Sequence, residues 1–376
     1  KEMYDLVLEQ AWKLAENEMA PANREGDKQG CVWEDGKVRV PESYHRPYEM
    51  YRQGGWLSMA EAFEVGGQGF PVVMGLAAIE AFGAANLSLF LYPGLTHGAA
   101  RLLEVYGTEE QQRTFMDKLY SGEWNGTMCL TEPQAGTDVG ALRTKAIRND
   151  DGTYSITGTK IFISCGEHDL TENIVHMVLA RIEGAPPGTK GISLFIIPKL
   201  RPENGELVDN DVVCPGIEHK LGIHGSATST LNFGENNNCI GHLLGEANQG
   251  MRIMFQMMNE SRLFVGMQGQ SHASAAYLYA LQYSKERTQG SDASRIKDPA
   301  APRVAIINHP DVRRMLMFMK SVSEGLRALL YYVGFCDDMV RSAEDDQERE
   351  KYQDFIDILI PVCKAYGSDM GFRVCE

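Results

Sequence analysis

Residues 128–146, MCLTEPQAGTDVGALRTKA, set Thr131, Glu132, Gly136, Thr137 and Asp138 directly after a short apolar run that reads as a strand. Nothing in this stretch is an obvious nucleophile or metal site. Two chemistries remain. Pro133 and Gly136 can make an ordinary turn. Alternatively, the strand end offers free backbone N–H groups and hydroxyls to a flat polar ring.

Other chemistry-bearing residues narrow the field. The eight cysteines (31, 129, 165, 214, 239, 336, 363 and 375) contain no CxxC pair, and no His/Cys spacing matches a zinc site. They read as reduced, mostly buried thiols, which points to a cytoplasmic location. His97, His168, His176 and His219 are too far apart for a helix-borne metal pair and read as structural. Gly67-Gln68-Gly69 is too short for a dinucleotide fingerprint and reads as a turn. Asn86-Leu-Ser88 and Asn259-Glu-Ser261 match the glycosylation pattern, with nothing to suggest secretion. The net charge of −15 disfavours a nucleic-acid surface, which needs a basic field. No run of about 18 apolar residues is seen, so no membrane span is expected.

The elements that must position these residues fall into three zones. Residues 1–127 read as helical, from the amphipathic start KEMYDLVLEQAWKLAENEMAP to GTEEQQRTFMDKL, where Thr108 and Gln111 form a capping-box pattern. Residues 128–245 change to β-branched and alternating runs such as TYSITGTKIFIS, IVHMVLARI and GISLFIIPKL, split by Gly, Pro and Asn. Residues 246–376 return to long helices. The fold expected is α+β and multidomain: an N-terminal all-α domain, a central β-barrel or sandwich, and a C-terminal helical bundle. The chain opens mid-pattern without Met and closes on Glu376 without a helix stop signal, so both ends are expected to be cut.

MCLTEPQAGTD resembles the acyl-CoA dehydrogenase signature, aromatic-C-x-T-E-P-x-A-G-S-D, and GTKIFISCGE, beginning at Gly158, resembles that family's second flavin strand. The order and spacing of the two motifs agree, and so does the helix–β–helix order along the whole chain. GEHDLTENIVHMVLAR, GTKGISLFIIPK, SLFLYPGLTHGA and ERTQG resemble the subfamily that includes 3-methylmercaptopropionyl-CoA dehydrogenases, whose members are longer at both ends.

The resemblance implies FAD, an acyl-CoA thioester and α,β-dehydrogenation: a carboxylate takes the α-proton while the β-hydride goes to flavin N5. It implies an electron-transferring flavoprotein as acceptor and a homodimer or homotetramer sharing FAD sites. Met128, Leu130, Thr131, Gly136 and Thr137 are expected along the flavin, with Thr137 in place of the usual Ser and also near the substrate. Phe162, Ile163 and Ser164 match the family's Trp-Ile-Thr/Ser. Asn259, Ser261 and Arg262 match the substrate helix, and residues around 92–100 the acyl pocket. Arg287 and His309 match contacts to the FAD of a neighbouring subunit, although Gln289-Gly290 shortens the usual T-F-G by one residue.

The catalytic glutamate is the gap. One family position for it is occupied by Ser261, which cannot serve. Glu260 is a fallback, about 100° around the helix. The other position lies in an aromatic-E-G-T/G motif that is absent, so the base is expected beyond residue 376. Alternative activities of the same fold are an acyl-CoA oxidase and a non-dehydrogenase flavin protein.

Overall fold

A computed structural model describes residues 1–376. It opens with α1 (Glu2–Leu14) and α2 (Ala20–Gln29), joined by a π turn, and a hairpin of β1 (Val32–Glu34) and β2 (Lys37–Arg39). α3 (His45–Gln53) precedes the 35-residue α4 (Val72–Tyr106).

Asn86 leaves helical geometry inside α4, at φ −157° and ψ 87°. Its side chain accepts from the Leu89 N–H at 3.1 Å and donates to the Met19 carbonyl at 3.3 Å. The second half of α4 therefore starts from an internal cap. Asn86 is fully buried, so its glycosylation pattern is unusable in the folded chain. Two short pieces, α5 (Glu109–Gln111) and α6 (Asp117–Tyr120), follow, and Thr108 and Gln111 form the expected capping box.

Ten strands come next: β3 (Trp124–Cys129), β4 (Lys145–Arg148), β5 (Tyr154–Ser164), β6 (Asn173–Ile182), β7 (Ile192–Pro198), β8 (Leu200–Glu203), β9 (Glu206–Asp209), β10 (Val212–Ile217), β11 (Thr228–Phe233) and β12 (Ile240–Leu244). Eight form one sheet in the order β10-β11-β5-β12-β7-β6-β3, with β4 pairing both β5 and β6, while β8 and β9 pair as a separate hairpin. β3 lies parallel to β6, in register from Trp124–Asn173 to Cys129–Val178. β7 is buried along its whole length and β6 along all but its last two residues, which fits their mostly apolar sequences; Asn173, His176 and Ser193 are buried polar exceptions. β11 alternates half-buried and buried positions, as a one-sided strand should.

The chain ends with α7 (Gly250–Glu286), a small ribbon of β13 (Thr288–Ser291) and β14 (Arg303–Ala305), then α8 (Pro310–Ser342) and α9 (Asp346–Cys375).

Packing divides the chain into two compact units. One comprises Lys1–Trp12, Pro71–Ala84 and Arg262–Glu376, and the other Lys13–Phe70 and Ala85–Ser261. These differ from three consecutive zones because α4 and α7 each give turns to both units. The β-rich unit has a core of Ile156, Ile163, Val178, Phe195, Leu231 and Phe233. The helical unit is built on Leu76, Met267, Leu330, Val333 and Cys363. In it α7 and α9 touch backbone to backbone: a Cβ on Gly269 would lie 2.0 Å from the Gly367 carbonyl, and one on Gly371 2.7 Å from Gly269 Cα.

α4 is long and apolar enough, by length and composition, to cross a membrane, contrary to the sequence expectation. Half of its most apolar 18-residue window is buried inside the protein, and Asn86 interrupts its helical backbone. Both are properties of a core helix.

Candidate functional site

Two strand ends meet where the hydroxyl-rich motif lies. β3 runs out at Cys129, and a tight turn follows in which Glu132 and Ala135 exchange backbone hydrogen bonds at 3.0 Å. Pro133 and Gln134 fill the turn. Met128, Leu130 and Thr131 are half-buried, while Gly136 and Thr137 are open to solvent.

β5 supplies the facing segment. Its pairing with β11 slips at Ile161-Phe162, where two residues oppose Thr230 alone: Ile163 pairs Ser229 and Lys160 pairs Leu231. This is a β-bulge, a device that re-aims a side chain. Phe162 takes φ +59° there, a region costly for a bulky residue, and the residue is 58% exposed. The same slip reverses the facing of the next residue. Ile163 points into the β core at 2% exposure, so only its backbone can meet a cofactor. Ser164 is half-buried.

The two segments are stitched together. Ile161 N–H donates to the Thr131 carbonyl at 2.9 Å. Lys160 Nζ donates to the Leu130 carbonyl at 2.9 Å and to Glu132 Oε1 at 2.8 Å. Glu132 also accepts from the Arg143 and Thr144 N–H groups, the Thr144 hydroxyl and Gln134 Nε2. Burial opposes ionisation of Glu132, but the Lys160 ammonium and these hydrogen bonds outweigh it and hold the carboxyl down at about 2. Burial in turn pulls the Lys160 pKa below its ordinary value. Gly158 is required beside them, since a Cβ there would lie 2.3 Å from Thr144 Oγ1.

Sequence reading passed over Glu132 and Lys160 as functional residues. A signal existed: Ile156, Gly158 and Lys160 share one face of β5, so the alternation sends a lysine inward, where it needs a buried acid.

On α7, Asn259, Ser261 and Arg262 are each half-buried, and the Ser261 hydroxyl donates back to the Met257 carbonyl at 2.9 Å. Glu260 is engaged, with Oε2 3.2 Å from His97 Nδ1. In the helical unit, Arg287 and His309 flank the β13–β14 ribbon and both reach Gln289 of β13. Arg287 Nη2 donates to Gln289 Oε1 at 3.3 Å, His309 Nε2 lies 2.6 Å from the Gln289 carbonyl, and Arg287 remains exposed.

Comparison with known proteins decides the family. Residues 1–123 match the acyl-CoA dehydrogenase N-terminal domain and residues 127–235 the acyl-CoA dehydrogenase middle domain. The short-chain-specific acyl-CoA dehydrogenase of Clostridium acetobutylicum is 31% identical over 289 residues, covering 76% of this chain and 69% of that protein. The chain belongs to the acyl-CoA dehydrogenase family.

The 3-methylmercaptopropionyl-CoA dehydrogenase of Ruegeria pomeroyi is 42% identical over 98% of this chain, and the chain spans 62% of that relative's length. The structure of a Bacillus anthracis acyl-CoA dehydrogenase complexed with FAD aligns with a TM-score of 0.75 at 22% identity, over 100% of this chain and 58% of that one. FAD is the cofactor of the acyl-CoA dehydrogenase family. The residues here suit a flavin: a strained bulge holds an aromatic ring in solvent, next to a strand end rich in hydroxyls and glycine.

Proposed function

We propose that the chain carries the FAD-binding and acyl-CoA-binding parts of an acyl-CoA dehydrogenase that converts a saturated thioester to its trans-2-enoyl product. The observation that carries this reading is the outward, left-handed Phe162, tied through Ile161 to the Thr131 strand end. A ring kept exposed at a conformational cost of order 1–3 kcal/mol has a use outside the fold, and an isoalloxazine face fits it. Bound FAD would accept the β-hydride of the substrate.

The chain's own residues supply placement. Thr131 and Ser164 offer hydroxyls to the polar edge of the ring, Met128 and Leu130 give apolar contact, and Gly136 and Thr137 let backbone approach without a bulky side chain between. Ile163 contributes its main chain alone. Asn259, Ser261 and Arg262 present polar contacts to the thioester ligand; Ser261 accepts better than it donates, because its hydrogen is held by the Met257 carbonyl. Ser261 cannot abstract a proton, and no residue of this chain is assigned as the base. Arg287 and His309, already adjacent, would give planar and ring N–H donors to a pyrophosphate of a neighbouring copy's FAD, in a homodimer or homotetramer. An electron-transferring flavoprotein is the acceptor this reading calls for, and the eight unpaired cysteines favour a reducing compartment such as the cytoplasm.

The test is reconstitution with FAD, followed by anaerobic addition of butyryl-CoA or 3-methylmercaptopropionyl-CoA to the full-length protein. Bleaching of the flavin with little peroxide in air supports a dehydrogenase. Abundant peroxide assigns an oxidase instead, and failure to take up FAD overturns the reading.

A further inference from the structure

α4 and α7 meet at Gly98. A Cβ there would lie 2.9 Å from Met257 Cγ and 3.5 Å from Glu260 Oε2, so nothing intervenes between the helices at that point. One residue earlier, His97 stands between two carboxylates. Its Nε2 lies 2.9 Å from Glu61 Oε1 and its Nδ1 3.2 Å from Glu260 Oε2. Neutral imidazole offers one donor nitrogen and one acceptor. Both nitrogens here face carboxylate oxygens, so the pair of contacts calls for an additional proton, and the imidazolium satisfies both.

The surroundings favour that charge. Glu61, from the segment between α3 and α4, is 2% exposed, and its second oxygen takes Arg101 Nη1 at 3.1 Å. Arg101 also meets Glu104 Oε2 at 2.9 Å, which accepts the Tyr120 hydroxyl of α6 at 2.5 Å. The Tyr120 ring edges against His97 at 6.0 Å between centroids. Glu61, Glu104 and Glu260 thus share Arg101 and His97; with His97 neutral, Arg101 alone would face all three. Burial works against the His97 charge, yet the hydrogen bonds to Glu260 and Glu61 raise its pKa to about 9.

We propose that His97 is a positioning residue: shared between Glu61 and Glu260, it fastens the Met257–Ser261 turn of α7 to α4 and withdraws the Glu260 carboxylate from proton abstraction. The turn carries Asn259 and Ser261, so the clamp sets where those side chains stand. Its effect on turnover rests on the dehydrogenase reading, while the clamp itself does not. A general base must present an oxygen to the substrate proton, whereas Glu260 turns Oε2 onto the His97 N–H. Deprotonation of His97 leaves one carboxylate facing a ring lone pair, and the turn loosens.

The experiment uses the FAD-loaded full chain as wild type, His97→Gln and Glu260→Gln. By ¹⁵N-histidine NMR, one resonance should titrate near pH 9, vanish in His97→Gln and move down by about one unit or more in Glu260→Gln. A wild type in which every histidine titrates below about pH 7.5 overturns the clamp. By calorimetry, butyryl-CoA should bind about 3–10-fold more weakly to His97→Gln, and the wild type should lose a similar factor between about pH 7.5 and 10. Glu260→Gln should shift KM more than kcat; a kcat loss of about 10³-fold or more with FAD retained makes Glu260 the base and overturns the proposal. If His97→Gln does not fold, the wild-type titration and Glu260→Gln decide. If no acyl-CoA bleaches the wild-type flavin, the dehydrogenase reading fails while the NMR titration still settles the clamp.

Discussion

Lys160 Nζ lies 2.8 Å from Glu132 Oε1, with the lysine side chain fully closed off from solvent and the glutamate 3% exposed. A buried pair of this kind contributes little net stability by itself, because desolvation offsets much of the attraction. Its worth is geometric. The same ammonium holds the Leu130 carbonyl, and the same carboxylate holds the Arg143 and Thr144 N–H groups, so one ion pair sets the spacing of three segments.

Lys160→Met is expected to cost about 3–5 kcal/mol, because it strands Glu132 as a buried charge. The double variant Lys160→Met with Glu132→Leu should recover much of that loss and yet retain FAD poorly. Thermal unfolding of apo and FAD-loaded protein reads both effects; equal stability of the single and double variants would contradict the account.

Acid should act through Glu132. Its folded pKa, about 2, lies below its ordinary value of 4.5, so its stabilisation is present above about pH 4.5 and is lost as pH falls toward 2. The shift corresponds to about 3 kcal/mol. Glu132→Gln should flatten the acid limb of a stability-against-pH curve, measured by denaturant unfolding between about pH 6 and 3.

Phe162→Gly should separate stability from binding. Glycine accepts φ +59° without strain, so the apo protein should gain about 1 kcal/mol. FAD affinity should fall, since the exposed ring is removed. A variant that loses stability and binds FAD normally would show that the ring serves the fold.

Thr131→Val keeps shape and removes the hydroxyl. FAD retention should weaken by about 1 kcal/mol, with a shifted flavin spectrum, while the Ile161–Thr131 main-chain bond preserves the fold. Unchanged flavin behaviour would remove Thr131 from the cofactor face.

At the α7–α9 crossing, Gly269→Leu should destabilise the helical unit by more than about 3 kcal/mol, because even a Cβ meets the Gly367 carbonyl at 2.0 Å. Circular dichroism melts would check it, and a melt matching the wild type would show that the helices do not cross this closely.

The strand-end motif of the proposed site was legible because it is contiguous in sequence. Thr131, Gly136 and Thr137 follow a strand directly; their types left a turn and a flat polar partner both open, and the resemblance of the motif named the flavin. Ile163 was placed along the flavin by the resemblance of Phe162-Ile163-Ser164 to the family's Trp-Ile-Thr/Ser, which carries no facing; the bulge at Ile161-Phe162 shifts the phase of β5 by one residue and turns the Ile163 side chain inward. Asn86 was hidden in an Ala- and Leu-rich run: its cap on the Leu89 N–H is local, but the Met19 carbonyl that takes its amide N–H is distant in sequence. The three zones followed composition, whereas the compact units follow long-range packing of α4 and α7. His97 read as structural because its two carboxylate partners come from positions 61 and 260, which no local pattern joins.

The stitch between β3 and β5 has a consequence for variation. Ile161 reaches a main-chain carbonyl at Thr131, and Lys160 reaches one at Leu130. Neither bond depends on the identity of residue 128, 130, 131 or 162. The chain can therefore exchange what it displays at these positions while the display frame stays fixed, much as type can be reset in an unchanged press.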